Sequence, residues 1–189
     1  MKNKFKNNEK GFALPLALLL LVVMTIMGAT LVSITSKDHK ANTNKDISQQ
    51  AFYAAESGIT QAKKYLLDTN TLTPQNNPNS KSRFCKTSFF PNLNQSTVKA
   101  INTYVGKNNL SELISASGPE NTRLSKYSFE YFITYTPDSN GNTSSMRYKA
   151  GTKNAYFTIY SCGCNERKDR CTAQSNIIVP LEAVVTLIK

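Results

Sequence analysis

The most apolar stretch of the chain runs from Phe12 to Val32, where 21 consecutive residues carry no charge. As an α-helix this stretch rises about 30 Å, which matches the hydrocarbon core of a bilayer. Residues 1–11 hold four lysines and one glutamate, and a positive flank of this kind is typical of the cytoplasmic side. We therefore expect one membrane-spanning helix over residues 12–33, with its N-terminus in the cytoplasm and the rest of the chain on the other side.

The helical pattern continues past the apolar block. Residues 33–50 are polar on every side, and no Gly or Pro follows Val32 until Gly58. An apolar stripe at helical spacing comes next, at Phe52, Ala55, Ile59, Ala62 and Leu66. Pro74 favours an end near residue 68. The pattern predicts a single helix of more than fifty residues, in which residues 34–68 continue the span and pack on a head domain formed by residues 69–189.

The head begins with a loop-rich segment and ends in strands. Its first part, up to residue 126, is rich in Asn and Pro and offers one short helical candidate at Thr97–Tyr104. From Tyr127 the period changes to two, with aromatic and aliphatic residues alternating with Ser128, Glu130, Phe132 and Thr134. Four strands are predicted, at 127–135, 143–149, 155–162 and 177–188. Short turns between them predict a four-stranded antiparallel meander, hence an α+β fold, with Pro180 marking an edge or a bulge.

Four cysteines lie beyond the apolar block, at Cys85, Cys162, Cys164 and Cys171. An even number of cysteines on the far side of a membrane anchor indicates disulfides in an oxidising compartment. A bridge between Cys162 and Cys164 is unfavourable because they are two residues apart. We favour Cys164–Cys171 with Cys85–Cys162, and the swapped pairing stays open. The spacing is poor for zinc, so no metal site is expected.

Charge and motifs argue against catalysis. The formal net charge of +11 is spread thinly, so weak attraction to DNA is expected but no dedicated nucleic-acid surface. His39 is the single histidine and lies in the polar part of the helix, away from any candidate catalytic partner. We find no phosphate loop, HExxH or dinucleotide motif. We expect a protein without cofactor that is not an enzyme.

Two motifs carry a resemblance to a known family. Lys10-Gly11-Phe12, after a short basic leader and before a run of aliphatic residues, resembles the signal of type IV prepilins. The phrase Gln50-Ala-Phe-Tyr-Ala-Ala-Glu-Ser-Gly58 resembles the AFxAAExG signature of PilX-type minor pilins. The resemblance implies that a prepilin peptidase cuts between Gly11 and Phe12 and methylates the new N-terminal Phe12.

The resemblance also implies roles for residues of the helix. Most pilins carry a glutamate as the fifth residue after the cut, and this chain has Leu16 there. That absence is shared with minor pilins and tip pseudopilins. The fibre-core residues implied are Leu16, Leu19, Val22 and Ile26. The helix–sheet packing motif implied consists of Phe52, Ala55, Glu56 and Ile59, with Glu56 either solvated or a buried partner for a basic group of this chain or of another subunit.

The function expected is a minor pilin that promotes assembly or adhesion of a bacterial type IV pilus, near its tip. Its partners would be other pilin subunits, prepilin peptidase and the inner-membrane assembly machinery. The protein would lie in the inner membrane before assembly and in the extracellular fibre afterwards. The alternatives are a minor pseudopilin of type II secretion and a membrane-tethered periplasmic binding protein.

Overall fold

The computed structural model describes residues 13–68, 74–75, 78, 81–101, 108–115, 117–137, 139–143, 154–172 and 177–188. One helix, α1, spans Ala13–Asp68 without interruption and is 56 residues long. It ends at Asp68, as predicted from Pro74. The chain divides into two compact units, Met1–Lys45 and Asp46–Lys189, so the last part of α1 belongs to the same unit as the head.

The head is built on an antiparallel sheet. Its long strands are β4 (Ser128–Tyr135), β5 (Asn154–Cys164) and β6 (Ile178–Ile188). Three two-residue strands, β1 (Pro74–Gln75), β2 (Ala100–Ile101) and β3 (Asn108–Asn109), extend it, in the order β1-β2-β4-β5-β6 with β3 also pairing β4. At the end of β4 where β3 pairs, the sheet has four strands, in the order β3-β4-β5-β6. Short helices α2 (Leu110–Leu113) and α3 (Gly118–Leu124) and a 3₁₀ turn at Thr87–Phe89 complete the head.

The α+β class and the antiparallel sheet are confirmed, and three of the four predicted strands lie side by side in chain order, but the meander is wrong in placing a strand between the first and third of them. Strand β4 pairs directly with β5 along its whole length, from Ser128 opposite Cys164 to Tyr135 opposite Phe157. The other edge of β4 is taken by β2 and β3. Because β4 and β5 are hydrogen-bonded to each other, no strand of the described residues lies between them, where the strand at 143–149 was predicted. Apart from Thr143, which is buried and outside any strand, those residues lie outside the described ones.

Two smaller strand and helix predictions have clear outcomes. Strand β6 is the last strand of the sheet path and pairs with β5 at every position from 178 to 188. Pro180 therefore marks an edge strand without a bulge. The helical candidate Thr97–Tyr104 is wrong at Ala100–Ile101, which form β2, and residues 102–107 lie outside the described ones.

Strand β4 is buried on both faces, which its alternating pattern did not predict. All eight of its residues are buried, including Ser128, Glu130 and Thr134. The face predicted to be polar is covered by the loop-rich segment from residue 81 to residue 101. The sheet is thus the middle of three layers, with α1 on one side and these loops on the other.

A separate cluster of buried side chains fills each side of the sheet. The cluster on the α1 side joins Ala54, Ala62 and Leu66 to inward residues of β4 and β5: Phe129, Tyr131, Ile133, Tyr135, Ala155, Phe157 and Ile159. The opposite cluster joins Phe84, Phe90, Leu93 and Val98 of the loops to Phe132, Tyr160 and the four cysteines. The rings of Phe132 and Tyr160 stack at 5.1 Å, and Phe90 meets Tyr160 edge-on at 4.6 Å.

Candidate assembly helix

The apolar part of α1 exposes its side chains along its length. Among the described residues, α1 is the one helix long and apolar enough to cross a membrane. Leu16, Leu19, Val22 and Ile26 are each more than half exposed and, being three or four residues apart, share one face of the helix. Large apolar side chains exposed in this number mark an interaction surface for lipid or for other helices.

Hydroxyl groups in this part of the helix are satisfied locally. The hydroxyl groups of Thr25 and Thr30 donate to the carbonyl oxygens of Val22 and Met27, both at 2.8 Å, and Thr35 donates to Leu31 at 2.6 Å. A hydroxyl bonded to its own helix needs no further partner in an apolar medium. The threonines are therefore compatible with an apolar environment around residues 13–35.

The predicted cleavage and methylation residues lie just before this helix. Gly11 and Phe12 fall outside the described residues, which begin at Ala13. Their role stays a prediction and is taken up below.

Small residues of α1 let the helix approach the sheet closely. Ala51, Ala54, Ala55 and Gly58 are buried and form one face. A Cβ atom on Gly163 of β5 would overlap the backbone of Ala51 and Ala55, so that position leaves no room for a side chain. The hydroxyl of Ser161 donates to the carbonyl oxygen of Ala55 at 2.7 Å. The motif thus joins helix and sheet by backbone proximity and one buried hydrogen bond.

Phe52 does not take the core position that we predicted. Its side chain is 41% exposed, and that of the adjacent Tyr53 is 50% exposed. The two rings meet edge-on at 6.0 Å on the side of α1 that does not face the sheet. The helix is rotated so that Ala51 and Ala54 face inward, because small side chains permit closer packing than a stripe centred on Phe52.

The other motif residues divide between the two faces. Ala55 is buried as predicted, and Ile59 is half-buried against the cluster on the α1 side. Glu56 is exposed in the single chain, so it is not buried in the head, and its pairing with a basic group of another subunit stays a prediction. The sequence motif therefore contains an inward face of small residues and an outward face of Phe52, Tyr53 and Glu56.

The structure forms both disulfides that we favoured. Cys85 pairs with Cys162 across 77 residues, with the Cα atoms 5.4 Å apart. Cys164 pairs with Cys171 across seven residues, with the Cα atoms 6.4 Å apart. The first bridge ties the loop layer to the central strand β5, and the second closes a short loop.

Sequence analysis missed the role of Glu130. Its carboxylate is fully buried and accepts hydrogen bonds from the backbone N–H groups of Arg83, Phe84 and Cys85 at 2.8 to 3.1 Å. A buried carboxylate is stable only when it is hydrogen-bonded or paired. The available signal was the single charged residue in β4, a strand whose other residues are aromatic, aliphatic or hydroxyl-bearing.

An ion pair fixes the loop that contains Cys171. The ammonium group of Lys168 lies 2.8 Å from the carboxylate of Glu112 in α2 and lowers the pKa of that carboxyl group. The backbone N–H of Lys168 donates to Asn109 at 3.0 Å. The pair is largely exposed and adds little to stability, but it holds the loop against β3 and α2.

Other chemistry in the described residues is sparse. A groove of about 640 Å³ lies on the sheet face away from α1, between residues 91–94 and 136–141. Burial raises the pKa of Glu182 at its floor. No three His, Cys, Asp or Glu side chains among the described residues group closely enough to hold a metal ion. His39 is exposed on α1.

Comparison with known proteins identifies one region. Residues 10–60 match the family model described as PilX N-terminal. The match covers the apolar segment, the polar middle and the small-residue face of α1. No curated protein matches the chain. No solved structure matches it either.

Proposed function

We propose that this chain, whose N-terminal region is that of a PilX-type type IV pilin, is a minor pilin that promotes pilus assembly and adhesion from a position near the fibre tip. The observation that carries the proposal is the match over residues 10–60. It unites an exposed apolar helix with the motif that packs this helix on the head. At the coarser level the chain is a structural pilus subunit with a membrane-anchoring helix.

The exposed face of α1 supplies the driving force for assembly. In a bilayer the side chains of Leu16, Leu19, Val22 and Ile26 contact lipid, and in a fibre they contact the helices of other subunits. Transfer of this helix into water would cost about 0.8 kcal/mol for each CH₂ group exposed. The helix therefore passes from lipid directly into a bundle of similar helices, where close packing replaces lipid contacts.

Leu16 favours a minor rather than a repeating subunit. A carboxylate at this position in an apolar bundle is costly unless it is paired. In the major pilins of the family that the leader resembles, the glutamate at this position pairs with the N-terminal amine of a neighbouring subunit. Leu16 provides no such pairing, so this subunit depends on apolar contacts alone at that point, which argues against a major, repeating subunit.

Processing of the leader gives the first test. A prepilin peptidase would cut between Gly11 and Phe12, which leaves 178 of the 189 residues. We expect Gly11→Ala to block cleavage, so that the full-length chain accumulates in the inner membrane and is absent from sheared fibres. Immunoblots of membrane and fibre fractions, with mass spectrometry of the N-terminus for methyl-Phe12, measure this outcome.

Gly28→Ala is the matched control because it is the same substitution within α1 and the added Cβ meets no atom within 4 Å. It should mature and enter fibres as the parent chain does. If Gly11→Ala matures normally, the leader assignment is wrong. If the parent chain is never cleaved in a cell with active prepilin peptidase, a membrane-tethered binding protein is the better description.

Deletion of the gene separates the remaining alternatives. We expect loss of surface pili and of adherence, both restored by the parent chain and not by Gly11→Ala. Immunogold labelling at the ends of fibres would support the tip position. Labelling along the whole fibre would contradict it. Loss of protein secretion with normal pili would identify the chain as a pseudopilin instead.

A further inference from the structure

The positions of the cysteines in the sequence do not determine whether Cys85 pairs with Cys162 or with Cys164. Cys162 and Cys164 lie two residues apart on β5 and therefore on the same face of the sheet. Both are fully buried in the cluster that also holds Cys85 and Cys171. The cluster thus contains two candidate partners for Cys85 on one face of one strand, and the fold has to place Cys85 beside Cys162.

Glu130 lies where it can hold Cys85 next to Cys162. In the pairing of β4 with β5, Glu130 lies directly opposite Cys162, on the same face. One carboxylate oxygen accepts the N–H of Cys85 at 2.8 Å and that of Phe84 at 2.9 Å, and both oxygens accept the N–H of Arg83, at 3.0 and 3.1 Å. The carboxylate therefore holds the backbone of residue 85 beside residue 162.

A second polar residue of β4 acts on the other bridge. Ser128 lies opposite Cys164, and its hydroxyl donates to the carbonyl oxygen of Glu166 at 2.6 Å. This bond starts the short loop that returns to Cys171, whose N–H donates to the carbonyl oxygen of Arg167 at 3.0 Å. The guanidinium group of Arg83 also donates to the carbonyl oxygen of Asp169, which fixes the two cysteine loops side by side.

We propose that Glu130 is a positioning residue for disulfide formation, which selects Cys162 over Cys164 as the partner of Cys85. The oxidant is a small or protein disulfide. A cysteine thiolate attacks it to give a mixed disulfide and release one thiol, and the second cysteine thiolate then displaces the other thiol. The two cysteines lose two electrons and two protons, and the oxidant disulfide becomes two thiols. Glu130 takes no part in these bonds and acts by fixing the distance between the two sulfurs.

The test uses the full chain with Cys171→Ser, expressed with its membrane helix and purified in detergent. Three cysteines remain, so the thiol left free by the pairing of Cys85 is either Cys162 or Cys164. Free thiols are blocked with iodoacetamide before digestion, and fragmentation of the peptide from β5 locates the blocked residue.

With Glu130 present, we expect Cys164 to be the free thiol in roughly a tenfold excess or more. Glu130→Gln should reduce that excess about fivefold to tenfold, because a neutral amide accepts hydrogen bonds more weakly than a carboxylate.

Two controls separate positioning from stability. Glu182→Gln removes a carboxylate from the same sheet face, on the edge strand β6 and opposite Tyr160, whereas Glu130 lies opposite Cys162. Leu66→Ala weakens the core on the α1 side without altering the cysteine side. Both should keep the parent pairing. If Glu130→Gln is not recovered from cells, its reduced full chain is oxidised in detergent with a glutathione redox buffer, and the pairing is read in the same way. Unchanged pairing in Glu130→Gln would overturn the proposal, and so would equal mispairing in either control.

Discussion

Individual residues of the head show what burial does to ionisable side chains. Desolvation raises the pKa of Tyr131 to about 12, and it also raises the pKa of Tyr160, because the ionised phenolate is poorly solvated inside the two clusters. Glu130 lies in the same sheet but has three backbone donors, so its environment stabilises a polar side chain by hydrogen bonds. Burial alone therefore does not determine whether a polar side chain is tolerated, because the available hydrogen-bond donors also matter.

Alkaline titration tests the burial of these tyrosines. The folded pKa lies above the ordinary value of 10.0, so the stability that they contribute is fully present below pH 10 and is lost as the pH rises toward 12. Of the nine tyrosines, we expect Tyr131 and Tyr160 to ionise together with unfolding, after the exposed ones. Tyrosinate absorbance and circular dichroism recorded on the same sample measure both events. Tyr131→Phe should remove one late-ionising group. Ionisation of all nine near pH 10 with the fold intact would contradict the structure.

Helices and strands differ in how far their patterns predict the fold. The length and end of α1 follow from the apolar block, the absence of Pro between Val32 and Pro74, and the position of Pro74. The inward face was misjudged at Phe52, since hydrophobicity marks large residues and close packing here requires small ones. In β4, alternation predicted one polar face, but the loop segment 81–101 covers that face, and only tertiary structure reveals such a cover. The pairing of β4 with β5 across residues 136–153 likewise depends on long-range contacts that local periodicity does not encode.

The orientation of α1 predicts a contrast between two apolar residues of the helix. Leu66 is 2% exposed in the core, so Leu66→Ala should lower the free energy of unfolding by about 2–5 kcal/mol. Phe52→Ala should cost less than about 1 kcal/mol, because its ring is already 41% exposed. Urea unfolding of the full chain in a mild detergent, followed by near-ultraviolet circular dichroism, compares the two variants. A larger loss for Phe52→Ala would mean that the helix faces the sheet with the predicted stripe after all.

Covalent bonds and non-covalent contacts join the three layers of the head. The small-residue face joins α1 to β5, and the Glu130 carboxylate and the Cys85–Cys162 bridge join the loop layer to the sheet. The cysteine count and the membrane span predicted the presence of disulfides, and the pairing formed is the one that we favoured, although the sequence left the swapped pairing open. The hydrogen bonds that Glu130 accepts were not predictable, since their donors belong to a backbone segment more than forty residues away.

The two bridges should differ in their effect on the stability of the head. In the chain-entropy model a disulfide stabilises according to the length of the loop that it closes, which gives about 4.5 kcal/mol for the bridge across 77 residues and about 2.4 kcal/mol for the bridge across seven. Cys85→Ala with Cys162→Ala should therefore destabilise the full chain more than Cys164→Ala with Cys171→Ala, as measured by urea unfolding in detergent. Loss of the Cys85–Cys162 bridge also frees the loop layer from the sheet. Protease cleavage within residues 81–101 should therefore increase in the Cys85→Ala, Cys162→Ala variant and stay near the parent level in the Cys164→Ala, Cys171→Ala variant. Equal losses, or greater cleavage in the second pair, would show that the loop layer is held by the Glu130 hydrogen bonds and the aromatic cluster without need of the long bridge.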